Sequence, residues 1–218
     1  MAARPANPAL AVDILRVTTD LIDQNGFEAL KLREVAERLG ISATTIYLYY
    51  KDKGQLLDAA VDRAFDWFAD AQDQAVAGTS VSGVDLLRAR NRGYVTWGIE
   101  HPNLYRLMFE RPQGYSPDRS GSRRRSFYSY IETVKRLTEE GVLRPSSESA
   151  ESMVSLTWAM NHGLVSLIIS GRMFGPIGET ISAEEAKKRI LHMVDASMEQ
   201  WLRAWAVDDA YRSDASGQ

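Results

Sequence analysis

The segment 32–50 constrains the fold of this chain more than any other stretch. Its first half carries apolar residues at helical spacing, which predict a short helix with one apolar face. These residues are Leu32, Val35, Ala36 and Leu39. Gly40 follows at once, and glycine readily takes the left-handed conformation that closes many helices. We therefore predict that the first helix ends at Gly40.

A second short helix is predicted directly after this glycine. Ser42 lies where a side-chain oxygen can cap the N-terminus of a helix. Ile46 and Tyr50 lie four residues apart and give this helix a buried face. Two short helices joined by a turn that contains glycine form a helix-turn-helix. We expect the second helix to carry residues 44–50.

The other face of the second helix is rich in small, hydroxylated and aromatic residues and contains no acid. Its residues are Ala43, Thr44, Thr45, Tyr47, Leu48 and Tyr49, and Lys51 and Lys53 follow. Small side chains let a helix approach base edges in the major groove, while hydroxyls and amines bond phosphate oxygens. The alternative is an ordinary helical hairpin, which would have to bury three tyrosines on one short helix. The pattern therefore favours binding to double-stranded DNA.

The region 26–56 resembles the DNA-binding domain of TetR-family transcriptional regulators. The resemblance is carried by Gly26, Leu30, Arg33, Val35, Ala36, Leu39, Gly40, Ile41, Ser42, Thr45, Ile46, Tyr47, Tyr49, Tyr50, Lys53 and Leu56. The chain departs from the family pattern at Lys31, where a Ser or Thr usually caps the first motif helix, and at Tyr49 and Gly54. The candidate DNA-binding residues are Lys31, Arg33, Ser42, Ala43, Thr44, Thr45, Tyr47, Leu48, Tyr49, Lys51 and Lys53.

Overall charge gives this interpretation no support. The 218-residue chain has a formal net charge of −3, and basic and acidic residues balance within the segment 1–53. Only cations that face phosphates release counterions, so the placement of each cation matters more than the total. Lys31, Arg33, Lys51 and Lys53 lie at the ends of the two motif helices. The acids of the first motif helix are expected to face elsewhere.

Composition argues against several other classes of protein. The chain is 44% hydrophobic and 25% charged, which is ordinary for globular proteins. The absence of cysteine excludes disulfides and thiolate metal sites. Because His101, His162 and His192 lack ligand spacing, we expect no metal and no cofactor. No apolar run reaches the roughly 18 residues that a membrane span needs, and residues 1–8 lack the apolar core of a signal peptide. We therefore expect a cytoplasmic protein.

The usual signatures of catalysis are missing as well. The sequence has no Gly-rich phosphate loop and no G-x-S-x-G motif, and no cysteine could serve as a nucleophile. We predict no catalytic residues and no enzymatic activity.

Helical periodicity continues along the chain without a strand pattern and predicts an all-α fold. Besides the two motif helices, we predict helices over 9–24, 53–77, 84–100, 103–110, 124–140, 148–170 and 183–206. A three-helix DNA-binding domain over 1–53 is then followed by a helical bundle for ligand binding and dimerisation over 54–207 and a flexible tail over 208–218. The helix that begins at Lys53 spans both domains and is the expected mechanical link.

The two last helices carry more apolar surface than one small body needs. The helix over 148–170 is apolar nearly all round, so we expect it to be buried on several sides. Large apolar surfaces usually mark association, and the alternative is that these helices only cover the core of their own chain. We predict a homodimer formed by both helices, with recognition helices roughly 34–36 Å apart on a pseudo-palindromic operator.

The C-terminal half resembles one subgroup of TetR regulators, named after a tryptophan-histidine-glycine signature. The resemblance lies in residues 94–97, in residues 101–109, and in Trp158 followed by His162 and Gly163. It implies a helical domain for ligand binding and dimerisation.

A ligand pocket is expected among the later helices, because pockets combine apolar walls with a few polar groups. Candidate lining residues are Trp67, Tyr94, Trp97, Tyr105, Met108, Phe109, Tyr128, Trp158 and His162. For each of them a place in the core is the alternative, and for His162 a hydrogen bond to a neighbouring tyrosine. A small apolar or aromatic effector would shift the dimer away from its operator-bound state. Repression is what the family resemblance implies. The remaining alternative is a helical ligand-binding dimer with weak or lost DNA binding.

Overall fold

The computed structural model describes residues 7–77, 82–110, 121–145, 149–173 and 183–207. Within these ranges the chain forms nine α-helices, and the predicted all-α class is confirmed. The helices are α1 (Pro8–Asn25), α2 (Leu32–Leu39), α3 (Ala43–Ile46), α4 (Lys53–Gln74), α5 (Val84–Glu100), α6 (Pro102–Phe109), α7 (Gly121–Glu139), α8 (Ala150–Ile169) and α9 (Ala183–Trp205). The predicted tail over 208–218 lies outside the described residues.

The second motif helix is shorter than the sequence predicted. The α-helix ends at Ile46, whereas we expected it to reach Tyr50. Beyond it the backbone N–H groups of Tyr47, Leu48 and Tyr49 each bond the carbonyl three residues earlier, at 3.0–3.2 Å. Such bonds belong to the tighter 3₁₀ geometry that often ends α-helices. The expectation of a helix over 44–50 is therefore wrong for residues 47–50. These four residues form a turn, which we call the recognition turn because of its position after α3.

The chain divides into two compact units. Unit 1 takes its residues from Met1–Trp67 and His101–Arg123, and unit 2 from Phe68–Glu100 and Arg124–Gln218. These compact units are divided at other positions than the expected domain boundary at residue 53. The expected division into a DNA-binding domain and a ligand-binding domain stays a prediction. In unit 1, α1 packs against α2 and α6, and α2 packs against α3. The core of this unit includes Ile14, Ile22, Val35, Ile46 and Leu56, each at most 1% exposed.

Unit 2 is built around α5, which packs against both α8 and α9. Its apolar core includes Leu87, Ile131, Leu137, Met198 and Leu202. Buried polar side chains form a network inside this core. The amide nitrogen of Asn91 bonds the Tyr130 hydroxyl at 2.6 Å, and the Asn161 amide nitrogen bonds the Asn91 side-chain oxygen. This network joins α5, α7 and α8.

Helix α8 buries one face and leaves the other open in the single chain. Met153, Val154 and Val165 are buried, but Leu156 is 62% exposed and Leu167 is 44% exposed. The expected burial on several sides is therefore not met within one chain. Among the described helices, α8 alone is long and apolar enough to cross a membrane. This is weak evidence for a membrane span, because the core helix of a protein without a membrane span passes the same test. Its open face needs another explanation.

Candidate nucleic-acid interface

The turn between α2 and α3 has the predicted caps. Gly40 has a φ of 64°, in the left-handed region, and its N–H bonds the carbonyl of Glu37 at 3.2 Å. The Ser42 hydroxyl accepts a hydrogen bond of 3.2 Å from the Thr45 N–H and thereby caps α3. At the start of α2, Lys31 makes no side-chain capping bond. The turn in the middle of the motif is thus held by caps at both helix ends that it joins, whereas the start of α2 has no side-chain cap.

The acid-free face of α3 and the recognition turn is open to solvent. Ile46 points into the core, at 1% exposure, whereas Tyr47 is 53% exposed and Leu48 is 74% exposed. Ser42 and Thr44 are exposed too, and Ala43, Thr45 and Tyr49 are partly buried. The side that sequence reasoning assigned to DNA therefore does not pack inward against the rest of its own chain.

Two tyrosines fasten the recognition turn to the start of α1. The Asn7 N–H donates to the Tyr49 hydroxyl oxygen at 3.0 Å, and the Tyr50 hydroxyl donates to the Ala11 carbonyl oxygen at 3.1 Å. Burial raises the pKa of Tyr50 above its ordinary value. The last two residues of the turn are thus both hydrogen-bonded to the start of α1, which lowers the conformational entropy lost on binding.

The four candidate cations do not occupy equivalent positions. Lys31, Arg33 and Lys51 are exposed. The Lys53 ammonium instead donates to the Leu30 carbonyl oxygen at 2.6 Å, which gives this side chain a structural partner. Three of the four cations are therefore available to phosphate without giving up an internal bond to a backbone carbonyl.

The acids of α2 pair with bases of the same helix, one turn away. Glu34 lies 3.4 Å from Arg38, and Glu37 lies 3.8 Å from Arg33. Sequence reasoning missed the role of Asp52, whose carboxylate accepts a 2.8 Å bond from the Gln55 N–H at the start of α4. The spacing of an Asp and a Gln three residues apart is a helix-capping signal that could have revealed it.

The predicted ligand-lining residues lie in both units. In unit 1, the rings of Tyr105 and Phe109 are 4.7 Å apart, Phe109 packs on Phe65 at 5.5 Å, and Trp67 lies 6.3 Å from His101. Tyr105 is fully buried and Met108 is 4% exposed. These side chains form part of the packing of unit 1, and their role in ligand binding stays a prediction.

In unit 2 the candidates fall into two aromatic groups. Tyr94 and Trp97 are buried and pack on Phe68, with ring centroids 4.6 and 5.3 Å away. Trp158 and Tyr128 are exposed and lie about the ring of Phe127, at 6.5 and 6.1 Å.

His162 belongs with the second of these groups. Its ring lies 6.0 Å from Trp158, and its Nε2 lies 3.5 Å from the Ser166 hydroxyl. The role of this group in ligand binding also stays a prediction.

The described part of unit 2 has an open groove of about 430 Å³ between α4 and α5. Five of its nine lining residues are small, and of the predicted ligand residues the lining includes only Trp97. The lining residues are Ala71, Gln74, Ala75, Ala89, Arg92, Gly93, Thr96, Trp97 and Glu100. Across the described residues, no group of three or more His, Asp or Glu side chains assembles into a possible metal site.

A charged cluster in unit 2 was also missed by sequence reasoning. Arg90 is buried on α5, and its guanidinium bonds Asp73 at 2.7 Å and Ser129 at 2.6 Å. Arg125 bonds the second oxygen of Asp73 at 2.7 Å. Burial lowers the pKa of Arg90, and the charge of Asp73 opposes this shift. Residues so far apart in sequence give no periodic signal that could reveal such a cluster.

The capped helix-turn-helix of unit 1 and the helices in the described part of unit 2 define the class of two-domain helix-turn-helix proteins. Residues 14–60 match the family described as bacterial regulatory proteins of the tetR family, and residues 87–199 match a tetracyclin repressor-like C-terminal domain. The chain therefore belongs to the TetR family, as the sequence resemblance predicted. The tryptophan-histidine-glycine subgroup stays a prediction.

Curated relatives agree with this assignment over part of their length. The HTH-type transcriptional repressor DrrR1 of Streptomyces coeruleorubidus is 36% identical over 111 residues, which are 50% of this chain and 40% of that protein. The HTH-type transcriptional repressor KstR of Rhodococcus jostii is 40% identical over 53 residues, 24% of this chain and 25% of KstR. The chain thus spans less than half the length of each of these relatives.

Solved structures share the fold over almost the whole chain. A protein of unknown function from Rhodococcus sp. RHA1 has a TM-score of 0.75 at 20% identity, covering 94% of this chain and 100% of that one. A TetR-family transcriptional regulator from Pectobacterium atrosepticum has a TM-score of 0.69 at 19% identity, covering 92% and 96%. At such identities the likeness concerns the fold alone.

Proposed function

We propose that this protein is a DNA-binding transcriptional repressor that acts in the cytoplasm as a homodimer and leaves its operator when a small molecule binds. The observation that carries the proposal is the open, acid-free face of α3 and the recognition turn, where Tyr47 and Leu48 are more than half exposed. Such a face suits the major groove, and exposed Lys31, Arg33 and Lys51 suit phosphates. The proposal includes no enzymatic activity.

A second copy of the chain is the proposed occupant of the open face of α8. Small residues follow one another along this face at helical spacing, namely Ser155, Ala159 and Gly163. A Cβ atom added at Gly163 would meet nothing within 4 Å of its own chain. Small residues let two helices approach closely, and exposed Leu156 and Leu167 add apolar area beside them. Polar and small residues of α9, including Gln200 and Ala204, are exposed as well and would extend the contact.

The proposed effector is a small apolar or aromatic molecule bound by the predicted aromatic residues. Helix α4 is continuous from Lys53, next to the recognition turn, to Gln74 in unit 2. A ligand that favours one conformation of unit 2 can shift the population of DNA-competent dimers only by its differential affinity for the two states. We propose that α4 transmits this shift.

Operator selection from fragmented genomic DNA tests the DNA-binding part of the proposal. The wild-type protein should enrich a pseudo-palindromic sequence, and Tyr47→Ala should weaken its binding by about 1 kcal/mol or more, the net value of one lost hydrogen bond. Val12→Ala is the matched control, because Val12 is exposed on α1 at 59% yet lies outside the proposed interface. A chain that enriches no sequence and binds no duplex would instead be a ligand-binding helical dimer.

The dimer is tested by placing a charge in its proposed centre. Leu156→Arg should give a monomer in light scattering at micromolar concentration, because an unpaired guanidinium would be buried between two copies. Val12→Arg should leave the dimer intact. A wild-type protein that is monomeric under these conditions would contradict the proposed interface.

A further inference from the structure

Leu48 is presented to solvent in an unusual position. It is 74% exposed, and no other large apolar side chain in the described residues is more exposed. A single exposed leucine is ordinary on a protein surface. This one, however, lies inside the proposed DNA face, beside exposed Thr44 and Tyr47, in a stretch from Ser42 to Lys51 that contains no acid.

The backbone around Leu48 is fixed in a way that presents this side chain. Its N–H bonds the Thr45 carbonyl oxygen at 3.1 Å. The next two residues, Tyr49 and Tyr50, are hydrogen-bonded to the start of α1, and Ile46 on the other side is buried. The direction of the Leu48 side chain is therefore set by the backbone bond of Leu48 and by its neighbours, and not by contacts of the leucine side chain.

The chemistry of the major groove leaves few partners for a leucine. Bases present hydrogen-bond donors and acceptors there, and the one apolar group among the four bases is the C5-methyl group of thymine. We propose that Leu48 reads a thymine methyl in each half of the operator and so selects thymine at that position. This inference rests on the proposed DNA binding and adds the base that one residue recognises.

The test replaces each thymine of the selected operator by deoxyuridine, which removes the methyl group and leaves the hydrogen-bonding pattern intact. Burying one carbon is worth about 0.8 kcal/mol, so the wild-type protein should lose about fourfold in affinity per half-site at one position. Substitution in both halves should cost about fifteenfold. Other thymines should tolerate the change, which makes the scan its own control.

Variants connect the effect to Leu48. Leu48→Ala should bind the thymine operator more weakly than the wild type and should lose nothing further with deoxyuridine. Leu48→Met should keep most of the sensitivity, and Val12→Ala should keep all of it. Because Leu48 carries no charge, the salt dependence of binding should be the same in Leu48→Ala and in the wild type.

The outcomes separate this inference from the proposed function. If the protein binds its operator but the wild type and Leu48→Ala lose affinity equally at every deoxyuridine position, Leu48 does not read thymine, and DNA binding still stands. If the wild-type protein binds no duplex at all, the proposed function fails and the inference fails with it.

Discussion

The ammonium of Lys53 lies 2.6 Å from the carbonyl oxygen of Leu30 and so joins the start of α4 to the segment before α2. A hydrogen bond from a charged donor contributes about 1.5–3 kcal/mol, and its loss leaves the carbonyl without this partner. Lys53→Met should therefore lower the free energy of unfolding by about 1–3 kcal/mol in urea denaturation. The exposed Lys51 is the matched control, and Lys51→Met should change stability by no more than about 0.5 kcal/mol.

The salt dependence of DNA binding distinguishes the same two lysines. A phosphate contact adds about one unit to the slope of log affinity against log salt. Lys51→Met should reduce this slope by about one unit, whereas Lys53→Met should leave it unchanged. A reduced slope for Lys53→Met with full stability would show that Lys53 contacts phosphate instead.

Alkaline pH should destabilise the protein through two tyrosines. Burial raises the pKa of Tyr50 and of Tyr130 above the ordinary value of 10.0. Both phenols therefore ionise at a lower pH in the unfolded chain than in the folded protein. The stability that they contribute is fully present below about pH 10 and is lost as the pH rises further, because ionisation then favours the unfolded chain. Urea denaturation between pH 8 and 11 should show this fall. The double variant Tyr50→Phe, Tyr130→Phe should show a shallower one, and an identical slope would contradict the assignment.

Two glycines should respond oppositely to alanine. A Cβ at Gly93 would lie 3.2 Å from the Ala71 carbonyl oxygen and 3.2 Å from the Ala75 Cβ, so Gly93→Ala should destabilise by about 1–3 kcal/mol. Gly163 has open space and lies within a helix, so Gly163→Ala should stabilise a monomeric Leu156→Arg background by about 0.5–1 kcal/mol. In the wild-type background it should raise the dimer dissociation constant, measured by sedimentation.

The charged cluster of unit 2 should depend on Asp73 far more than on Asp70. Asp73 holds Arg90, whose side chain is only 8% exposed, whereas Asp70 holds the more exposed Arg125. Asp73→Asn should lower the free energy of unfolding, measured in urea, by about 2 kcal/mol. This is less than the loss of a wholly buried ion pair, because the Asp73 side chain is 40% exposed. Asp70→Asn should cost no more than about 1 kcal/mol.

A double variant provides a further check on this pair. Adding Arg90→Met to Asp73→Asn should recover part of the stability that the single change Asp73→Asn loses, because the buried cation is removed together with its partner. Full additivity of the two single changes would contradict the pairing.

The helices could be predicted because their signals are local. Periodic apolar residues and breakers such as Gly40 and Pro102 placed most ends within a few residues of those observed. The end of α3 could not be placed, because the tyrosines after Ile46 look helical in sequence and are held instead by bonds to α1. Tertiary contacts thus overrode a weak local preference.

The sequence predicted which face of the motif is exposed, but not which of its charged side chains make bonds within the protein. Exposure of Tyr47 and Leu48 agrees with the sequence interpretation, since hydroxyl-rich and acid-free faces are poor core material. The structural bond of Lys53 and the cluster of Arg90, Asp73 and Arg125 depend on pairs from separate helices. The periodicity of residues within one helix cannot predict which carbonyl or carboxylate of another segment a cation will contact.

Asn7 links the beginning of the described chain to the recognition turn. Its side chain caps α1 by accepting from the Ala9 N–H at 3.1 Å, and its backbone N–H donates to the Tyr49 hydroxyl. Proteolytic trimming to Pro8 would remove both bonds, because the backbone N–H and the side chain that make them both belong to Asn7. A preparation that is partly clipped at this point would therefore contain intact molecules and molecules with a less firmly held recognition turn, and its titration with DNA would show two affinities.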